Sequence, residues 1–275
     1  MNATSATGTA RRAARSDTMK YAARAGFTAR GVIHLLIGIL ALQIALGGGS
    51  KSADQGGALA ELAEKPFGKV LLWALGIGLV AMALWQLTEA LFGSVGPDGN
   101  KPKKRLLAAG LFVFYGFVSY SVLAFAVGSK GSGDGKSDKQ SHDVTAKVMD
   151  LPAGQWLVGA VALVIAGAGV WIAVNAARRK YHKEMRMGEM SPRTRKLVDV
   201  TGVGGGVSRG LVFAVTGGFA LAAAVTFDPE KAKGMDDTIK SFRDTPVGPW
   251  LLVVLAVGLM LFGVFSFAMA RWRKM

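Results

Sequence analysis

The sequence has no cysteine and only three histidines, so residues that commonly bind metals are scarce. Without thiols the chain forms neither disulfides nor thiolate metal sites. His34, His142 and His182 are too far apart in the sequence to share one turn of a helix, as two zinc ligands on one helix would. Paired carboxylates for acid–base catalysis are missing from the apolar part of the sequence. We therefore expect no metal, no cofactor and no enzymatic activity.

Charged residues are also nearly absent from six stretches, each long enough to be a transmembrane helix. A hydrocarbon core about 30 Å thick takes roughly 20 helical residues to cross. The alternating polarity of a transmembrane strand is absent, and a soluble helix would keep a polar face. The sequence therefore predicts an all-α integral membrane protein with six transmembrane helices at residues 27–46, 70–92, 106–128, 154–177, 207–226 and 247–270.

The net charge of +15 is concentrated on alternate sides of these helices. The N-terminal region, the second and fourth connections and the C-terminus hold 22 of the 33 Lys and Arg residues. The other three connections hold 11, together with 12 acidic residues. By the positive-inside rule both termini are expected in the cytoplasm. Anionic lipid headgroups are the expected partners of the basic face, and the charge requires no nucleic acid.

Sequence landmarks recur three times and indicate an internal repeat. In the first and third units an Arg-Gly pair is followed by a second Gly seven residues later: Arg30-Gly31 with Gly38, and Arg209-Gly210 with Gly217. A Pro-x-Gly motif opens the second helix of each unit, and an aromatic residue follows nineteen residues after each Pro. These motifs are Pro66-Phe-Gly68 with Trp85, Pro152-Ala-Gly154 with Trp171, and Pro246-Val-Gly248 with Phe265.

The landmarks divide the chain into a tail and three two-helix units. Residues 1–18 read as a disordered cytoplasmic tail, followed by units at 19–96, 97–185 and 186–275. Two helices per unit predict three parallel repeats, with a pseudo-threefold bundle as the simplest closed arrangement and an arc as the alternative. Before each Pro, apolar residues at helical spacing predict a short amphipathic helix on the outer interface. These pairs are Leu59 and Leu62, Val144 and Val148, and Ile239 and Phe242.

These motifs resemble the bacterial membrane family called "domain of unknown function 1206". The resemblance extends from about residue 20 to residue 275, and it is weakest in the middle unit, where Ala109 stands in place of the Arg. It implies the same three-unit architecture and a location in the bacterial plasma membrane. The family carries no assigned activity.

Few polar residues lie within the apolar stretches, and they form the candidate intramembrane site. Glu89 is the single acidic residue there, and we predict an ion pair with Arg30, placed at the same depth on the first helix. The alternative is a site for a proton or an ion. The remaining candidates are His34, one turn deeper than Arg30, Tyr115 and Ser119 on one helical face, and Asn175, the counterpart of Glu89 in the second unit.

Small residues predict close helix packing, not chemistry. Gly210, Ala214, Gly218 and Ala222 recur at intervals of four, as do Gly169, Ala173 and Ala177. The glycine-rich run at 202–206 lacks the context of a phosphate loop and predicts a flexible start to the fifth helix.

Three functions remain open at this stage. We expect a non-enzymatic scaffold or accessory module that contacts lipids or another membrane protein complex. The first alternative is a small-solute or ion pathway along the repeat axis. A membrane enzyme is the weakest of the three.

Overall fold

The computed structural model describes residues 17–47, 52–93, 101–128, 136–151, 153–228, 231–233, 237–240 and 248–274. Over these residues the chain is all-α, with six helices long and apolar enough to cross a membrane. The six are α1 (Asp17–Ala45), α3 (Gly68–Phe92), α4 (Pro102–Ala126), α6 (Gly154–Ala177), α7 (Pro192–Thr226) and α8 (Gly248–Trp272). Two shorter helices precede α3 and α6, namely α2 (Gln55–Ala63) and α5 (Lys136–Met149), and 3₁₀ turns at Lys180–Glu184 and Met187–Glu189 join α6 to α7. Residues 1–16 of the predicted tail, the landmarks Pro152 and Pro246, and Phe242 of the third predicted short helix lie outside the described residues. The last two residues of the tail predicted at 1–18 begin α1.

Two transmembrane helices begin well before the predicted stretches. Helix α1 starts at Asp17 and α7 at Pro192, because charged residues are compatible with a helix beyond the hydrocarbon core. At the start of α7 the Ser191 hydroxyl accepts a hydrogen bond from the Thr194 amide, and proline occupies the first turn. The glycine run at 202–206, predicted to be flexible, lies inside α7. A Cβ at Gly205 would lie 2.3 Å from the backbone nitrogen of Phe262, so the run lets α7 and α8 approach closely.

The closest helix packing joins successive units, as a threefold arrangement requires. Helix α3 packs on α4, α6 on α7, and α8 on α1. Within the first and third units the two helices also pack on each other, α1 on α3 and α7 on α8. In the middle unit α4 and α6 make no comparable contact, so the ring of six helices is open there.

The Pro-x-Gly motif forms the same turn in the first two units. The middle residue, Phe67 or Ala153, has a left-handed backbone with φ of 62° or 61°. The following glycine begins the helix, and its amide donates a 2.8 Å hydrogen bond to a carbonyl three residues back. A Cβ at Gly68 would lie 2.4 Å from the carbonyl oxygen of Leu62, and at Gly154 it would overlap that of Val148. Glycine is therefore required where the short helix meets the transmembrane helix. Pro66 does not open the helix, because it lies in the turn before it.

The glycines spaced seven apart make equivalent contacts in the first and third units. A Cβ at Gly31 would lie 3.0 Å from the Gly263 carbonyl oxygen, and one at Gly210 would lie 2.6 Å from that of Gly169. Their partners are also equivalent in the repeat: Gly263 lies 17 residues after Pro246, and Gly169 lies 17 residues after Pro152. The small-residue stripe therefore packs α7 on α6 as predicted, with one correction. Gly217, not Gly218, faces α6, and a Cβ at Gly218 would meet nothing within 4 Å.

Candidate functional site

The predicted Arg30–Glu89 ion pair does not form. Arg30 is buried, and within the described part of the chain it donates hydrogen bonds only to neutral groups of α8 and α4. Its Nε lies 3.1 Å from the Ser266 hydroxyl, its Nη1 3.5 Å from the Tyr115 hydroxyl, and its Nη2 3.4 Å from the sulfur of Met269. The ion-pair prediction was therefore wrong, and Arg30 contacts a different candidate residue, Tyr115, whose proximity was not predicted.

The error came from the depth assigned to the two side chains. Gly26 of α1 lies against Met82 of α3, and further along α1 Ala29 lies against Gly78, so the two helices are antiparallel. In this register Glu89 is level with the first turn of α1. At a rise of 1.5 Å per residue, that is about 17 Å along the helix from Arg30.

Glu89 pairs instead with Arg273, just beyond the end of α8. Its carboxylate lies 3.8 Å from the Arg273 guanidinium, which also lies 3.3 Å from Glu184 in the first 3₁₀ turn. Both Glu89 and Arg273 have side chains about 15% exposed, at 14% and 15%. Because both side chains are largely shielded from water, the cost of desolvating the two charges offsets part of their attraction.

Three arginines and four aromatic rings alternate through the ring of helices, and we call this series the arginine ladder. Each guanidinium lies between two rings at a distance that allows cation–π interaction. For Arg273, the outer rung, the centroids of Trp85 and Phe27 are 4.5 and 5.2 Å away. For Arg30, the middle rung, those of Phe27 and Phe262 are 4.7 and 5.2 Å away. For Arg209, the inner rung, those of Phe262 and Phe213 are 4.8 and 5.4 Å away. In order the ladder runs Trp85, Arg273, Phe27, Arg30, Phe262, Arg209 and Phe213.

His34 and Ser119 have structural roles beside the ladder. The Nδ1–H of His34 donates a 2.9 Å hydrogen bond to the carbonyl oxygen of Arg30, and its ring meets that of Phe262 edge-on at 4.7 Å. The hydroxyl of Ser119 donates to the Gly116 carbonyl oxygen at 2.9 Å, within its own helix. His34 lies one turn further along α1 than Arg30 and is therefore even farther from Glu89 along the helix axis.

Asn175 lies apart from the other candidates. It sits near the end of α6, and α6 packs on α7, whereas Arg30 and Tyr115 belong to α1 and α4. The residues that complete the ladder, Arg209, Arg273 and Phe262, were not among the predicted site residues. Arg209 could have been found, because it is the counterpart of Arg30 in the repeat.

A second polar cluster fixes the connection between α6 and α7. Asp199 on α7 accepts hydrogen bonds from Tyr181 at 3.2 Å and from His182 at 2.5 Å, and its carboxylate lies 3.4 Å from Arg179. Partial burial and the Asp199 carboxylate raise the pKa of the Tyr181 phenol. The phenol therefore stays protonated and acts as a hydrogen-bond donor that holds this connection on α7.

The same connection completes a basic pocket at the ends of α1 and α8. The amide of Arg186 donates to the Trp272 carbonyl oxygen at 2.9 Å, and that of Lys274 to the Glu184 carbonyl oxygen at 2.8 Å. The pocket has a volume of about 400 Å³, and we call it the interfacial pocket. One acidic residue and Tyr21 line it together with five basic residues: Asp17, Lys20, Tyr21, Arg24, Arg186, Arg273 and Lys274.

Comparison with known proteins gives the same three units. The family described as Domain of Unknown Function (DUF1206) matches residues 25–93, 107–179 and 204–273, most of the chain. The chain belongs to the DUF1206 family. The uncharacterized protein YxxB of Bacillus subtilis (strain 168) is 30% identical to it over 260 residues, 92% of this chain and 90% of the relative. No solved structure matches the chain.

The DUF1206 units place two rungs of the ladder at equivalent positions. Arg30 and Arg209 each lie five residues after the start of a matched stretch, at 25 and 204. Two rungs of the ladder are therefore built by the repeat: two copies of the Arg-Gly motif, on α1 and α7, bring their guanidinium groups over the same Phe262 ring of α8. This DUF1206 protein is a multi-pass helical membrane protein with an internal repeat.

Proposed function

We propose that this protein is a non-enzymatic module of the bacterial plasma membrane that binds anionic lipid headgroups on its cytoplasmic face. The interfacial pocket carries the proposal, because five of its seven lining residues are basic and one is acidic. The pocket lies where the apolar sequences of α1 and α8 end, at the level expected for headgroups. A basic residue near an anionic membrane surface contributes about 1 kcal/mol to binding.

The two helix ends at the pocket act in opposite directions: the amino end of α1 favours an anion, whereas the carboxyl end of α8 disfavours one. The five basic side chains therefore determine the preference. The volume of about 400 Å³ admits a phosphate-bearing headgroup, whereas the acyl chains would lie along the neighbouring helices. Held this way, the module would associate with anionic lipid and act as a scaffold or accessory subunit for another membrane complex.

Lipid retention tests the proposal. We expect native mass spectrometry of protein from mixed bilayers to show bound phosphatidylglycerol in preference to phosphatidylcholine. The combined Arg24→Gln and Arg186→Gln variant should lose most of this preference. Salt at 0.5 M should weaken it, because the screening length falls to about 4 Å at that ionic strength. Arg193→Gln is the matched control, since Arg193 is an exposed arginine at the start of α7, outside the pocket.

Equal retention of the two lipids by the unmodified protein would contradict the proposal. So would an equal loss of phosphatidylglycerol in Arg193→Gln, because the effect would then come from the overall basic charge and not from the pocket.

A further inference from the structure

The two inner rungs of the arginine ladder carry positive charge that the described part of the chain does not neutralise. Arg273, the outer rung, has Glu89 and Glu184 beside it. Neither Arg30 nor Arg209 lies within salt-bridge distance of a carboxylate among the described residues. Arg30 donates to two hydroxyl groups and a thioether, all neutral. Arg209 has no hydrogen bond to any described residue, and its Nε is fully enclosed.

These two charges lie within the ring of helices, where Arg30 is buried and Arg209 is half-buried. Ser208 lies against Gly258, so Arg209 is level with the middle of α8. Charged side chains at this depth are rare and are normally paired or beside water. The aromatic faces stabilise the guanidinium groups but bring no negative charge. A partner of opposite sign is missing from the arrangement.

We propose that the ring of helices binds one small inorganic oxyanion that bridges the Arg30 and Arg209 guanidinium groups at the edge of the Phe262 ring. The two Cζ atoms are at most about 10 Å apart, because one lies 5.2 Å and the other 4.8 Å from the same Phe262 ring centroid. An oxyanion hydrogen-bonded to both guanidinium groups spans a distance of this order, at about 2.8 Å per hydrogen bond. The Tyr115 hydroxyl, 3.5 Å from Arg30, is a third group of the site.

The donor chemistry and the depth identify the class of ligand. The planar fork of a guanidinium matches two oxygens of one anion, which favours phosphate-like oxyanions over chloride. A lipid headgroup remains at the membrane surface and does not reach Arg209. This site is separate from the interfacial pocket, and the two are tested by different variants.

The test is the thermal stability of detergent-purified protein in inorganic phosphate, compared with sodium chloride at matched ionic strength. A ligand that binds the folded state raises the Tm, by about 5 to 10 °C at a concentration one hundred times its Kd. We expect such a rise in the unmodified protein and none in Arg209→Gln or Arg30→Gln. In the absence of phosphate, Arg209→Gln should be at least as stable as the unmodified protein, since it removes an unneutralised charge.

Two further variants keep the test decisive if glutamine disturbs folding. Arg209→Lys retains the charge but not the fork, so its phosphate response should be reduced. Arg271→Gln should respond fully, because Arg271 lies over the Trp272 ring at the exposed end of α8. The proposal is overturned if phosphate adds nothing beyond chloride, or if Arg209→Gln keeps the full response. It also fails if phosphatidylglycerol alone reproduces the rise and Arg24→Gln abolishes it, since the anion would then occupy the interfacial pocket.

Discussion

Arginine 273 connects the charged surface of the protein to its buried cations. On one side its guanidinium faces Glu89 and Glu184, and on the other it lies over Trp85 and Phe27. Negative charge is therefore concentrated at the outer end of the ladder. Because carboxylates lie beside this rung, Glu89 functions as its counter-ion and is not an isolated proton site.

A double-mutant cycle between Glu89→Gln and Arg273→Gln tests this assignment. Each single change should lower the free energy of unfolding, and the double variant should lose less than the sum by about 0.5 to 2 kcal/mol, because the two residues are in contact. Urea unfolding in detergent, followed by tryptophan fluorescence, measures all four proteins.

The matched comparison is Arg30→Gln combined with Glu89→Gln. Their effects should add to within about 0.5 kcal/mol, since the residues are far apart and share no partner. Coupling between Arg30 and Glu89, with none between Arg273 and Glu89, would contradict the arrangement described for the ladder.

Among the helices, α6 and α7 form the interface that depends most directly on small residues. The backbone of α7 approaches α6 at Gly210 and Gly217, where any side chain would meet main-chain atoms. Close approach of this kind supplies packing and weak polar contacts in a lipid environment, where the hydrophobic effect between helices is lost. The α6–α7 interface should therefore be sensitive to changes of a single methyl group.

Adjacent glycines of α7 offer a direct test. A Cβ at Gly217 would lie 2.4 Å from the Ala166 backbone nitrogen, whereas one at Gly218 would have no neighbour within 4 Å. Gly217→Leu should destabilise the protein by about 1 to 3 kcal/mol or prevent assembly of the third unit, through overpacking. Gly218→Leu should be close to neutral, because its side chain would point into lipid. Thermal unfolding of the two variants side by side gives the comparison, and equal losses would show that leucine acts through another effect.

At the scale of the whole molecule, the fold was largely predictable and the site was not. Transmembrane spans follow from runs of apolar residues, and the repeat follows from motifs that local geometry requires, such as glycine after Phe67 or Ala153. Partners across the ring depend on helix register and rotation, which hydropathy does not encode. Arg30 and Ser266 are 236 residues apart in the chain and meet only because α8 packs on α1. The sequence placed the start of the first helix at residue 27, ten residues after its actual start at Asp17. This shift was enough to assign Glu89 the wrong partner.

The orientation of the molecule in the membrane remains a prediction from charge. Reporter fusions at residues 98 and 190 should report a cytoplasmic location, and fusions at 135 and 235 an external one. Alkaline phosphatase and green fluorescent protein fusions at each position provide complementary signals. An external signal at residue 190 would contradict both the cytoplasmic termini and the common orientation of the three units.

The gap in the middle unit has a mechanical consequence. In a ring of six helices in which one neighbouring contact is missing, separating α4 from α6 breaks the least helix packing and exposes the least new surface. Helix α6 is also the least buried of the six: 11% of the residues in its most apolar stretch are buried, compared with 56% in α1. Regions with few buried contacts open at the lowest free-energy cost. The molecule is thus a ring of helices with one open side between α4 and α6, and each of these helices is held mainly by one neighbour, α4 by α3 and α6 by α7. Membrane thickness and lateral pressure would act on the width of this opening.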